Sequence, residues 1–249
     1  MNLCLTFQKA LFWGCLPMVL PQAVKLRKTA PRFSAAKGPA TGMIGSGDGI
    51  RLLAVGDSII AGAGAQTIAQ ALVGRTAEYL ARDLACSVKW EAVGKIGVTC
   101  GQIQKKLVPQ LPRTPADIIL VSSGVNDTIS LSRTSEFKNS LSLLIQSLKA
   151  HSPQALIVMA GVPPLNAFPL LPQPLRAWFG LRSSILDTIA RKEVRYLDPV
   201  VYVPLDVIPE PDKFSKDGFH PSQESYKEFA QIMTAAIVQH LKRKKQECD

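Results

Sequence analysis

The chain has 249 residues, 47% hydrophobic and 19% charged, the composition of a globular protein able to bury one sizeable α/β core with a short appendage. Its formal charge of +10 sits at the ends: residues 1–45 hold six Lys/Arg and no acid, residues 242–249 add +2, and the body between is close to neutral. That distribution argues against a nucleic-acid partner, which needs a basic face on the folded body, and suits an anionic membrane surface or a solvated tail.

The five cysteines, at positions 4, 15, 86, 100 and 248, form no CxxC and no Cys/His group. No zinc or iron–sulfur site and no disulfide framework is indicated, and the redox compartment stays open.

Residues 1–48 read as an apolar N-terminal segment and a flexible basic linker, and residues 49–249 as the folded domain. Ala10 to Val24 is apolar apart from Gln22 and is followed by Lys25, Arg27 and Lys28. It falls short of the roughly 20 residues that cross a bilayer, and Pro17 and Pro21 interrupt it. A secretory signal places its charges before the apolar core, whereas here the heavier charge follows. The expectation is a membrane association with the body on the cytoplasmic side, with a periplasmic or secreted location as the alternative. Thr29 to Asp48, rich in Pro, Gly, Ala and Ser, reads as a connector.

Arg51 to Val55 is an apolar run that stops at Gly56-Asp57-Ser58, a buried strand ending in a tight turn that leaves a serine at its carboxyl end. An amphipathic helix over Thr67 to Leu84 follows, then a strand over Val88 to Val93 that ends in Gly94-Lys95-Ile96-Gly97. Thr99 to Leu111 reads as helix, and Asp117 to Ser122 is an aliphatic strand that ends in Ser123-Gly124-Val125-Asn126-Asp127. Beyond it the periodicity predicts helix over Glu136 to Ala150, strand over Ala155 to Ala160, helix over Leu181 to Lys192 and a fifth strand over Val194 to Val200. A helix from about Ser222 to Lys245 closes the chain. Strict alternation predicts a mostly parallel five-stranded sheet covered on both faces, with a crevice at the strands' carboxyl ends. Ser58, Gly97 and Asn126 follow three of those ends.

A serine nucleophile needs a base and a carboxylate to orient it. Of the three histidines, His151 and His240 lie at helix C-termini, where a cation is explained by the helix dipole. His220 lies in the loop Asp217-Gly218-Phe219-His220-Pro221, with Asp217 three residues before it. The N–H groups of Ser58 and Gly97 and the Asn126 amide are candidate oxyanion donors, although Gly97 also reads as a turn glycine and Asn126 as an Asx-turn residue.

Taken together, Gly56-Asp57-Ser58, Gly97 with Thr99, Gly124-Val125-Asn126-Asp127 and Asp217-Gly218-Phe219-His220-Pro221 resemble, in order and spacing, the four blocks of the GDSL, or SGNH, hydrolases. The resemblance covers about Arg51 to His240 and departs from the family at Ile59, where leucine is usual, and at Ala92 or Val93, where an asparagine is common. It implies a three-layer, flavodoxin-like α/β/α sandwich with Ser58 as nucleophile, His220 as base and Asp217 as orienting acid. Ser58, Gly97 and Asn126 form the implied oxyanion hole. The implied activity is that of an esterase, lipase, thioesterase or lysophospholipase, with no metal and no cofactor.

The loop Gly161 to Gly180, rich in proline and large apolar residues, reads as an acyl-chain wall, a lid, a membrane patch or an edge of the core. With the apolar N-terminus it points to a short-to-medium or lipid-derived acyl ester as the small-molecule partner. Two rival readings remain. A nucleotide- or flavin-binding domain lacks a third glycine after Gly62-Ala63-Gly64 and an acidic ribose partner near Gly94 and Lys95. A catalytically silent membrane scaffold is disfavoured by the full set of Ser58, Asp217 and His220.

Overall fold

In the computed structural model, which describes residues 3–29, 34–205 and 210–248, the apolar runs of the body join in one sheet. Its strands are β1 (Thr41–Ile44), β2 (Gly49–Gly56), β3 (Ser87–Gly94), β4 (Ile118–Ser122), β5 (Leu156–Ala160) and β6 (Val200–Val203), in the order β1-β3-β2-β4-β5-β6. Every pairing is parallel except that of β1 with β3. β4 and β5 are buried at every position, as expected of parallel strands covered on both faces.

The helices are α1 (Leu3–Gly14), α2 (Leu16–Thr29), α3 (Leu72–Leu84), α4 (Cys100–Gln102), α5 (Val125–Ile129), α6 (Thr134–His151), α7 (Leu175–Val194) and α8 (Gln223–Cys248). Along β2 and β4, Leu53, Val55, Ile119 and Val121 meet α6 and α7, while Leu52, Ala54, Ile118 and Leu120 meet α3 and α8. This period-two split makes the three layers. On α6, Phe137, Leu141, Leu144, Ile145 and Leu148 all turn inward, each burial contributing about 1.5–3 kcal/mol.

Several elements differ from the sequence expectation. The sheet has six strands because Thr41–Ile44, in the stretch that reads as a connector, pairs antiparallel with Val88–Glu91 at the edge. Its alternation of exposed and half-buried residues is too weak and too short to stand out in sequence. Val194 ends α7, and the last strand starts only at Val200. There it finds its parallel partner, Ile157, while the preceding Tyr196 and Leu197 are exposed. Thr99 to Leu111 is not one helix: α4 passes into a wider turn over Ile103–Leu107 and a tighter one over Val108–Gln110, where Pro109 has no N–H to continue the ladder.

The N-terminal helices lie on the body. Phe12 stacks on Trp178 of α7 with ring centroids 4.1 Å apart, and the Trp178 indole N–H donates to the Phe12 carbonyl at 2.7 Å. Among the described residues no helix is long and apolar enough to cross a membrane.

Candidate active site

β2 lies between β3 and β4, the point where the strand order reverses, and its register aligns Gly56 with Gly94 on one side and Ser122 on the other. The loops that leave these three residues therefore start at one level of the sheet and open on one crevice, where ligands of doubly wound sheets bind. Ser58 follows the first, Gly97 the second and Asn126 the third.

The turn at Ser58 is held by its neighbour. Asp57, 1% exposed, accepts the Ile59 N–H at 3.1 Å and the Ser122 hydroxyl at 2.9 Å. Burial pushes its pKa up from the ordinary carboxylate value, with these hydrogen bonds opposing the rise. Its carboxylate is thus committed to tying the turn to β4.

His220 lies in the loop between β6 and α8, and Ser215 donates its N–H to the His220 carbonyl at 2.8 Å. Asp217 meets the imidazole Nδ1 at 2.9 Å through Oδ2, while its Oδ1 accepts the N–H groups of Phe219 and His220, each at 2.8 Å. Burial alone would raise the Asp217 pKa, but the bonds from the His220 ring and these N–H groups hold it well below the ordinary carboxylate range. The serine and histidine loops meet at Gly64, where φ is +92° and a Cβ would stand 2.3 Å from the Pro221 carbonyl. Only glycine fits there. Ser58 and His220, 7% and 2% exposed, line one cavity, whose other walls include Pro163, Phe168, Leu205, Phe214, Phe219 and Phe229.

On the opposite side, the Asn126 side-chain amide donates to the Val98 carbonyl at 3.0 Å, fastening the third loop to the second. Between them Gly97 takes φ +78°, a left-handed conformation that favours glycine. Asp127, 2% exposed, accepts the Cys100 N–H at 2.8 Å and so holds the start of α4 against the same loop. Behind it, the 1%-exposed Arg182 of α7 donates to the Ser132 carbonyl, with its guanidinium 5.2 Å from the centre of the Phe12 ring. α1 thereby covers a buried cation that braces the Asp127 loop.

Burial raises the Asp127 pKa from 3.8 to about 6, with the Cys100 N–H and Ser132 opposing the rise. A carboxyl whose folded pKa is raised binds its proton more readily in the folded state, so its contribution to stability declines as pH rises from 3.8 towards 6. For this group the loss between about pH 5 and about pH 7.5 is about 1.5 kcal/mol. Asp127→Asn is expected to remove that loss, so urea unfolding at the two pH values should show the variant less pH-dependent by this amount. Equal pH dependence in both proteins would contradict the buried, ionised carboxylate.

A profile of the GDSL-like lipase/acylhydrolase family matches residues 54–228. The chain belongs to that family. It is 24% identical over 249 aligned residues to a GDSL-like esterase of Mycobacterium tuberculosis, Rv1075c, covering 91% of this chain and 77% of that protein. Among solved structures, a family 3 carbohydrate esterase of Clostridium thermocellum superposes with a TM-score of 0.60 at 21% identity, over 79% of this chain and 98% of that one. The psychrotrophic esterase EstA of a Pseudoalteromonas species gives 0.59 at 15% identity, over 77% and 98%. These two structures share the three-layer fold. As a GDSL-like hydrolase the chain is a carboxylic ester hydrolase.

Several parts of the site escape sequence reading. Of the proline-rich loop, Pro163 and Phe168 line the cavity, whereas Leu165, Leu171, Trp178 and Phe179 are core. Leu205, Phe214 and Phe229 also line it, from outside any motif. Ser122 and Arg182 carry no pattern that marks them, since a strand-end serine and a helical arginine are ordinary residues until their burial is seen.

Proposed function

We propose that this GDSL-like hydrolase cleaves short-chain acyl esters through an acyl-enzyme formed on Ser58. The observation that carries the reading is the Asp217–His220 pair, 2.9 Å apart, on the wall of the cavity that Ser58 also lines. Asp217 holds the ring with Nδ1 protonated, which leaves Nε2 to take the Ser58 proton as Oγ bonds to the ester carbonyl carbon. The carbonyl electrons move to oxygen, where the N–H groups of Ser58 and Gly97 and the Asn126 amide donate. When they return, the C–O bond to the alcohol breaks and His220 gives the proton to the departing oxygen. Water then repeats the sequence on the acyl-enzyme, releasing the acid.

The acyl group is proposed to be small. The cavity has a free volume of about 40 Å³ and is lined by aromatic rings, those of Phe168, Phe214 and Phe219 packing edge to face. Since one water needs about 10–15 Å³ by this measure, the space fits roughly three waters, the size of an acetyl or propionyl group. On p-nitrophenyl esters, kcat/KM is expected to fall by about tenfold or more from acetate to octanoate, because each excess methylene must displace a packed ring. Phe168→Ala should move the optimum to longer chains. A profile flat or rising with length in the wild type sinks the short-acyl reading. The serine chemistry has its own test, a fluorophosphonate probe that labels the wild type and not Ser58→Ala.

The reading extends to location. The exposed Lys25, Arg27 and Lys28 at the end of α2 suit the anionic lipids of a cytoplasmic leaflet, which supports a catalytic body on that side.

A further inference from the structure

α1 and α2 carry two apolar faces, and the body covers one. Phe12 and Val19 are buried against it. Gln22 donates to the Gln173 carbonyl at 2.8 Å and accepts the Leu175 N–H at 3.2 Å. The two helices are therefore seated on α7 by rings and hydrogen bonds.

The other face is bare. Phe7 is 68% exposed, Leu11 47%, Trp13 47%, Met18 71%, Leu20 51% and Val24 47%. Half of the large hydrophobics exposed among the described residues thus fall within this one short segment. Within α1, Phe7 and Leu11 stand four apart on one face, and within α2 Leu20 and Val24 do the same, with exposed Ala10, Gly14, Pro17 and Pro21 among them, so the segment presents an apolar strip on either side of the turn at Cys15. Single exposed apolar residues are ordinary; a strip of this kind marks a binding surface. Lys9, Lys25, Arg27 and Lys28 flank it, and the first acid in the chain is Asp48.

We infer that this strip docks on the headgroup layer of an anionic lipid bilayer, with α1 and α2 lying along the surface. The charge selects this occupant over a second copy of the chain, because pairing two such strips brings cation onto cation. Leu, Phe and Trp beside Lys and Arg are the composition of helices that lie in the interface plane. No described helix is long and apolar enough to cross the bilayer.

The test is co-sedimentation of the full chain with vesicles of equal parts phosphatidylcholine and phosphatidylglycerol, and with vesicles of phosphatidylcholine alone. The full chain should partition onto the anionic vesicles about tenfold or more better than onto the neutral ones. Paired substitutions Leu11→Asp and Met18→Asp, both on the bare face, should lower that binding by about tenfold or more while near-ultraviolet circular dichroism stays native. Ile232→Asp, at an exposed apolar position on α8, should bind as the wild type does. Trp13 fluorescence should shift to the blue on binding, and the shift should vanish with the aspartate pair. Equal retention on both vesicle types, no retention, or binding untouched by the aspartates overturns the inference. So does self-association without lipid that the aspartates abolish, which would assign the face to a second copy. Binding is read without ester turnover, so this result stands or falls apart from the proposed chemistry.

Discussion

Ser58→Ala is expected to cut ester hydrolysis by about a millionfold, and His220→Ala by about as much, because nucleophile and base act as a unit. The double variant should be hardly worse than either single one. Ser58 is almost fully buried at the end of β2 and its turn is held by Asp57, so removing one hydroxyl leaves the fold unchanged and circular dichroism should match the wild type. Asp217→Ala should cost less, about ten-thousandfold, since the base survives and loses only its orientation. The contrast with Asp127 is the sharper test of roles. Asp127 is the more deeply buried carboxylate, and its bonds from the Cys100 N–H and Ser132 hold the loop that follows β4. Should Asp127→Asn prove more damaging to kcat than Asp217→Ala, the orienting acid is misassigned. Should Ser58→Ala keep a tenth of the wild-type rate, the nucleophile is elsewhere.

What sequence could reveal here follows from how local each feature is. The parallel strands are legible because burial on both faces demands uninterrupted aliphatic runs such as Ile118 to Val121, and Gly56-Asp57-Ser58 and Asp217 to His220 are legible because each packs its chemistry into a few adjacent residues. β1 is not, since an edge strand of four residues takes its stability from Val88–Glu91, far along the chain. The docking of α1 is hidden for the same reason. Ala10 to Val24 looks like a membrane segment because it is apolar all round, and nothing local says that Phe12 will meet Trp178, 166 residues away. Nor does Arg182 look unusual in α7. Its burial becomes meaningful only when Phe12 covers it and Ser132 accepts from it. The cavity's size is the least local property of all, set by rings from residues as far apart as Phe168 and Phe229.

Asn126→Ala is expected to lower kcat by about a hundred- to a thousandfold with little change in KM, because a donor aimed at the oxyanion acts mainly in the transition state. The Asn126 amide has two N–H bonds. One is directed at the Val98 carbonyl at 3.0 Å, which fixes the side chain to the Gly97 loop; in the proposed mechanism the second donates to the substrate oxygen. This anchoring is what makes the donor preorganised, and it gives the prediction a second arm. Asn126→Asp keeps the size of the side chain but replaces both donors by acceptors, turning a carboxylate oxygen towards the Val98 carbonyl and towards the developing negative charge. It should therefore be worse than alanine, although it is the closer isostere. A residue with a merely structural part, closing the turn after β4, would give the opposite order, with the isostere tolerated and alanine the more harmful in both stability and rate. Measuring kcat, KM and the unfolding midpoint for the two variants separates these cases, and an alanine variant that loses stability in proportion to rate would remove Asn126 from the oxyanion hole.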